Sequence, residues 1–161
     1  MIEDFDPELD LKLERTLKAS PELVWQCWTT PEHLKHWFCP KPWRTTECEI
    51  DLRPGGRFYT RMQGPNGEDM PNTGCYLEVE QGRKLVWTSC LLTGYRPNPT
   101  PGLPFTAFLF IEPDGKGGTD YTAFARHGEP GSHKQHEDMG FHEGWGTVAT
   151  QLDEYAQTLK A

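Results

Sequence analysis

The chain has 161 residues, one domain's worth of sequence, and a formal net charge of −8 at pH 7. A field of that sign repels phosphate backbones and anionic lipid, so neither nucleic acid nor a membrane surface is an expected partner. Only 35% of the residues are hydrophobic, yet six Trp, eight Phe and five Tyr are present. Apolar burial is therefore concentrated in large rings, each burying about 150–250 Å², which points to one core or cavity.

Residues 1–10 read as an acidic N-terminal tail without a pattern, lacking the basic and apolar regions of a secretory signal. The longest near-apolar run, Phe105 to Ile111, is too short to span a bilayer. A soluble, cytoplasmic protein is expected. The five cysteines, Cys27, Cys39, Cys48, Cys75 and Cys90, are scattered and never spaced C-x-x-C, which favours reduced thiols over a disulfide framework or a zinc site.

From Leu11 the chain alternates apolar and polar residues through Leu13 to Leu17, which predicts a first strand with one wet face. Ser20-Pro21-Glu22 combines an N-cap, a proline at N1 and an acid in the first turn. The helix it opens carries Val24, Trp25 and Trp28. Thr30-Pro31-Glu32 repeats the signal for a second short helix through Trp37 and Phe38, ended by Cys39-Pro40-Lys41-Pro42. From Thr45 the period returns to two, and six strands are expected. The first carries Cys48, Ile50 and Leu52, and the next runs from Arg57 to Gln63. Two more span Met70 to Glu80 and Lys84 to Leu92, and the last two Phe105 to Glu112 and Thr119 to His127. A proline-rich loop, Thr93 to Pro104, interrupts them.

After Gly131 the rhythm becomes helical. Ser132-His133-Lys134-Gln135 fits a capping box. Phe141, Trp145, Val148, Leu152, Tyr155 and Leu159 then fall within about 40° of one line on a helix. One long C-terminal helix is predicted to lay that stripe on an antiparallel sheet of about seven strands, with the two short helices as a lid over a cavity. The expected class is α+β, a helix-grip fold, spanning residues 11–161 as one domain.

The order of elements, with Ser20-Pro21-Glu22-Leu23-Val24-Trp25 and Thr30-Pro31-Glu32-His33-Leu34-Lys35-His36-Trp37, resembles one branch of the START/Bet v 1-like (SRPBCC) superfamily. That branch is named after the activator of Hsp90 ATPase. Asp51-Leu52-Arg53-Pro54-Gly55-Gly56-Arg57-Phe58, Gly74-Cys75-Tyr76-Leu77-Glu78-Val79, Arg83-Lys84-Leu85-Val86-Trp87-Thr88 and Gly144-Trp145 followed by Leu152 carry the same likeness. The resemblance covers residues 11 to 159. It implies an elongated cavity between sheet and terminal helix, in a superfamily of lipid and hormone binders, polyketide cyclases and an Hsp90 activator.

Trp37, Phe58, Tyr76, Trp87, Phe108, Phe141, Trp145 and Val148 are the candidate apolar lining of that cavity. Glu137, within about 40° of the stripe on an unbroken helix, is expected to face inward and anchor a polar ligand group. Of the six histidines, His133 and His136 lie about 60° apart on a helix and His142 about 120° from His136. No H-E-x-x-H spacing exists, so capping or solvent-facing roles are expected, with no metal and no cofactor.

The expected function is binding of a small apolar or amphipathic molecule without catalysis. One alternative is a cyclase- or hydrolase-type enzyme using Glu137 or a tyrosine as acid/base. Another is an interaction module related to Hsp90 activation. The domain with which the eukaryotic activator holds Hsp90 has no counterpart in these residues, which weighs against that partner. Tyr121, Ala123 and Ala125 are predicted to share one face of the last strand and Phe124 the other, where a second copy in a homodimer would cover it.

Overall fold

The computed structural model describes residues 2–159; Met1, Lys160 and Ala161, at the ends of the predicted tail and domain, lie outside the described residues. The chain begins with β1 (Asp10–Leu17), α1 (Pro21–Thr29) and α2 (Pro31–Leu34). There follow β2 (Arg44–Ile50), β3 (Arg57–Gln63), β4 (Asp69–Glu80), β5 (Lys84–Thr88), β6 (Leu91–Leu92), a 3-10 turn at Thr93–Tyr95 and β7 (Arg96–Pro97). The remainder is β8 (Thr106–Pro113), β9 (Thr119–Arg126), α3 (Pro130–Asp138) and α4 (Phe141–Ala156).

Seven strands form one antiparallel sheet in the order β1-β9-β8-β5-β4-β3-β2, while β6 and β7 make a small separate ribbon. β1 and β2 thus occupy opposite edges. The chain must cross from one edge to the other between Leu17 and Arg44, and α1 and α2 make that crossing over the inner face. α1 starts where the sequence indicates. The Ser20 hydroxyl accepts from the Leu23 N–H at 3.3 Å, Pro21 fills N1 and Glu22 sits at the positive end of the helix dipole.

The inner face is apolar from edge to edge. Leu11 and Leu13 of β1 lie beside Tyr121, Ala123 and Ala125 of β9, then Ala107, Leu109 and Ile111 of β8, Leu85 and Trp87 of β5, Tyr76 of β4 and Phe58 of β3. On β4 a bulge between Tyr76 and Glu78 inserts one residue, so that Tyr76 and Val79, three apart, both point inward. Phe108, Phe110 and Phe124 lie on the opposite face. Phe108 was expected in the cavity lining; its parity with the core residues Ala107 and Leu109 turns it outward, where it stacks on Phe110 at 6.5 Å.

The stripe from Phe141 to Leu159 covers this inner face as predicted, but not on one continuous helix. α3 ends at Asp138, and Gly140 adopts φ +90° before α4 begins. α3 also starts earlier than the capping box at Ser132 indicates. Pro130 occupies N1 behind Glu129, and Ser132 is buried inside the first turn. The break removes the register that carried the expectation for Glu137: its side chain is exposed on α3, outside the interior. Within α4, Gly146 is buried where an added Cβ would lie 2.8 Å from the Arg15 guanidinium of β1. Gly144 faces open space.

β5 stops at Thr88, four residues short of expectation. The Thr88 hydroxyl accepts from the Cys90 N–H at 3.1 Å, a local turn that competes with the strand ladder. The N-terminal segment is not free of pattern either. Asp10 is 3% exposed, and both it and Asp4 pair with the Arg126 guanidinium, at 3.1 and 3.0 Å. This holds the Phe5 ring 6.2 Å from Phe124. The outer ring expected to meet a second copy is thus covered by its own chain.

The glycines of the terminal segment give opposite expectations. Gly140→Ala forces a side chain into the left-handed region and should cost about 1–2 kcal/mol in urea unfolding. Gly144→Ala, in open helix, should add about 1 kcal/mol of stability. Destabilisation by Gly144→Ala in the same assay would overturn the reading of that position.

Candidate functional site

Two clusters of rings, not one, hold the buried aromatic side chains beneath α4. The first joins the crossing helices to the far half of the sheet. Trp28 of α1 meets Trp37 edge-on at 4.8 Å, Phe38 at 5.6 Å and Trp87 of β5 at 5.3 Å. Phe58 of β3 stacks on Tyr76 at 5.2 Å, and contacts Trp87 at 5.3 Å and Phe38 at 5.8 Å. Each such pair adds about 0.5–1.5 kcal/mol beyond its buried area, so the lid is held by its own rings.

The polar atoms of this cluster are unevenly satisfied. The Trp28 Nε1–H donates to the Tyr121 hydroxyl at 3.2 Å. Among the described residues Trp37 Nε1 and Tyr76 Oη have no hydrogen-bond partner, although Trp37 is 0% and Tyr76 1% exposed. Burial, and then Cys48 beside it, push the Tyr76 hydroxyl well above the ordinary phenol range, so it stays protonated and able to donate. Both orphan atoms are therefore hydrogen-bond donors. Burial raises the Cys48 thiol to about 12, and Lys35 and Glu32, also near it, line an open cleft of about 520 Å³ with Arg44 and Thr45 between α2 and β2.

α4 fastens this lid from its C-terminal half. Gln151 Nε2 donates to the carbonyls of Trp37 at 3.1 Å and Cys39 at 2.9 Å, and its Oε1 accepts from the Lys41 N–H. Tyr155 stacks on His36 at 4.6 Å, and its hydroxyl bonds His33 Nδ1 at 2.8 Å. Asp153 accepts from the N–H groups of Lys18 and Ala19, where β1 hands over to α1.

The second cluster surrounds the N-terminal end of α4. Phe141 and Trp145 lie 4.7 Å apart, Trp145 contacts Phe105 at 6.3 Å, and His136 of α3 lies between them. His136 and His127 are both 6% exposed and joined by a 2.9 Å hydrogen bond, a correction to their expected capping or solvent-facing roles. An open cleft of about 560 Å³ borders this cluster, lined by Cys90, Phe105, Arg126, His127 and Ser132 among others. Among the described residues no group of three or more His, Cys, Asp or Glu side chains is arranged to hold a metal ion. No helix among them is long and apolar enough to cross a membrane.

The predicted lining therefore divides. Trp37, Phe58, Tyr76 and Trp87 meet in the first cluster, Phe141 and Trp145 in the second, and half-buried Val148 packs against the core. Phe108 and Glu137 belong to neither. Sequence reasoning missed Trp28, Tyr121 and Gln151 at the lid, and Phe105, His127 and His136 at the other end. Trp28 was legible as an inward residue of α1. The partners of Gln151 and the histidine pair depend on contacts between distant elements, for which no local pattern exists.

The sheet closed over α4, with a two-helix crossing after β1, is the helix-grip architecture of Bet v 1-like proteins. The family described as "Activator of Hsp90 ATPase homolog 1-like protein" matches residues 18–157, and the chain belongs to that family. A crystal structure of a Nitrosomonas europaea protein is 52% identical, with a TM-score of 0.91 over 96% of this chain and 97% of that one. A Mycobacterium smegmatis protein is 26% identical, with a TM-score of 0.76 over 96% and 92% of the two chains. An AHSA1-like protein of Aeromonas hydrophila, 18% identical, shares the fold with a TM-score of 0.68 over 93% of each chain. No curated protein matches the chain.

Two hydroxyl removals separate satisfied from unsatisfied groups. Tyr121→Phe leaves the Trp28 N–H without its acceptor and should cost about 1–3 kcal/mol in chemical unfolding. Tyr76→Phe removes only an unpartnered group and should leave the free protein as stable or slightly more so. Stability should also respond to acid. Burial first, then His127 and His133, hold His136 down at about 4, so the unfolded chain takes up that proton first. This contribution is complete above about pH 6.5 and is lost as pH falls towards 4. The urea midpoint should fall across that window, with a shallower slope in His136→Phe.

Proposed function

We propose that the chain binds a small apolar or amphipathic molecule in the ring cluster beneath the lid, without catalysis of its own, as a cytoplasmic protein. The observation that carries this reading is the pair of enclosed, unpartnered donors, Trp37 Nε1 and Tyr76 Oη, in otherwise apolar surroundings. Leaving such groups unmet costs about 1–3 kcal/mol each, and a ligand carbonyl or similar oxygen accepting from them recovers that cost. The surrounding rings supply the apolar contact. Entry requires the α1–α2 crossing to shift against its ring contacts with Trp87 and Phe58 and its ties to Gln151 and Tyr155.

Binding is favoured over acid/base chemistry by the same residues. Glu137 faces solvent, and burial raises both Tyr76 and Tyr121, so neither supplies a phenolate base near neutral pH. The buried thiol of Cys27 is likewise raised, to about 12, which makes it a poor nucleophile. Membership of a family whose fold generally encloses ligands supports the reading without naming the ligand.

Native mass spectrometry of freshly purified protein, before and after denaturing extraction, tests it. A retained apolar or amphipathic compound is expected, its occupancy reduced at least about tenfold in Trp37→Phe/Tyr76→Phe, a loss of about 1.4 kcal/mol. An unliganded mass, together with no thermal stabilisation by a panel of apolar ketones and carboxylic acids, would overturn the proposal. Protein partners, Hsp90 first, would then be tested.

A further inference from the structure

Carboxylates are in excess in this chain, 24 acidic residues against 16 basic ones, so partners for an arginine are not scarce. Arg53, Arg57, Arg61, Arg83 and Arg126 each hold a carboxylate, and Arg15 donates to the Glu14 carbonyl. Among the described residues only Arg44 and Arg96 are left without a partner, and Arg96 sits on the small ribbon. Arg44 opens β2, where the acidic residues further along are already committed. Glu47 pairs with Arg61 at 2.8 Å and Glu49 with Arg57. Facing Arg44 from the end of α2 is Lys35, which also has no ion-pair or side-chain hydrogen-bond partner among the described residues. Glu32, three residues before it, is likewise unpaired among them.

The space between these groups is present in the structure. It is the open cleft of about 520 Å³ lined by Glu32, Lys35, His36, Arg44, Thr45 and Thr46, a size that suits a small molecule. The two threonines have spent their protons inside the protein. Thr45 Oγ1 donates to Cys39 Sγ at 3.4 Å and Thr46 Oγ1 to the Arg61 carbonyl at 3.4 Å, so both hydroxyl oxygens are left as acceptors. Cys48, near Lys35 and Glu32, is kept protonated by burial and brings no negative charge. The lining therefore sets two free cations against one free carboxylate, a surplus of one positive charge before His36 is counted, in a chain of net charge −8.

We propose that the cleft between α2 and β2 is a second binding site, for a small monoanionic hydroxy acid. Its carboxylate lies between Lys35 and Arg44, and its hydroxyl donates to Glu32 or a threonine oxygen. The Arg44 guanidinium matches the two oxygens of a carboxylate, while Lys35 adds a point charge. A monoanion balances the surplus charge of the lining. A dianion meets the opposing field of Glu32, and a neutral amide leaves both cations unmet. Glu32 and the threonine oxygens, which only accept, distinguish a hydroxy acid from a plain fatty acid. The cleft is already open, so this site stands independently of the ring cluster and of any movement of the lid.

The test is titration of ¹⁵N-labelled protein at pH 7 and constant ionic strength with lactate, lactamide, propionate and inorganic phosphate. The Arg44 Nε–H resonance and the backbone amides of Thr45 and Thr46 are followed. Lactate should shift them saturably and bind at least about fivefold tighter than lactamide, which has its shape without its charge. Propionate, which lacks the hydroxyl, should bind at least about threefold more weakly than lactate. Lys35→Gln/Arg44→Gln should abolish the shifts at Thr45 and Thr46, and Trp37→Phe/Tyr76→Phe should preserve them. Shifts that do not saturate, lactamide or phosphate binding as tightly as lactate, or unchanged binding in Lys35→Gln/Arg44→Gln would each overturn the proposal. Propionate binding as tightly as lactate would overturn the assignment to a hydroxy acid. The four compounds decide the matter on the unsubstituted protein even where the double variant fails to fold.

Discussion

The structure depends on covering one apolar sheet face that runs unbroken from Leu11 on one edge to Phe58 near the other. Antiparallel pairing satisfies the backbone but leaves that face to be dried by something else. α4 does most of this with the stripe from Phe141 to Tyr155, and the rest falls to α1 and the residues around Trp37. The crossing helices are thus required twice over: they carry the chain between the edges, and they cover the part of the face that α4 does not reach. Gly146 belongs to the same constraint, since the helix backbone passes close to the Arg15 side chain.

Filling that space with rings explains the polar irregularities. A tryptophan or tyrosine brings a large apolar body with one polar atom, and a crowded aromatic cluster offers few acceptors. Trp28 and Tyr121 solve the problem for each other across 3.2 Å. Trp37 and Tyr76 do not, although the cost of an unmet donor is comparable with the gain from a good ring contact. At the other end of α4, roughly 15 Å away for ten residues of helix, the histidine pair meets its needs through Leu9.

Family membership fixes the architecture and leaves the chemistry to these particular side chains. The likeness to the Nitrosomonas europaea protein extends over almost the whole of both chains at 52% identity, whereas the 18% and 26% relatives retain chiefly the arrangement of sheet and helices. The fold's contribution is a covered face with a lid. The unpartnered donors Trp37 Nε1 and Tyr76 Oη and the two open clefts belong to individual residues and not to the fold.

Local sequence determined what local physics controls. The period of two in Leu11-Lys12-Leu13, the Ser20-Pro21-Glu22 start and the 3-4 spacing from Phe141 to Leu159 each predict an element within a few residues, because pleat, cap and helical turn act over that range. The break at Gly140 was hidden, since a glycine inside a helical rhythm reads equally as a tolerated residue or a stop, and Glu137 was misdirected with it. Strand parity at Phe108 was hidden for a related reason: β8 carries large apolar residues on both faces. Only the tertiary structure decided that Phe5 covers Phe124, that Gln151 holds the lid, and that His127 and His136 meet. Each of these joins segments whose separation in sequence carries no information about their distance in space.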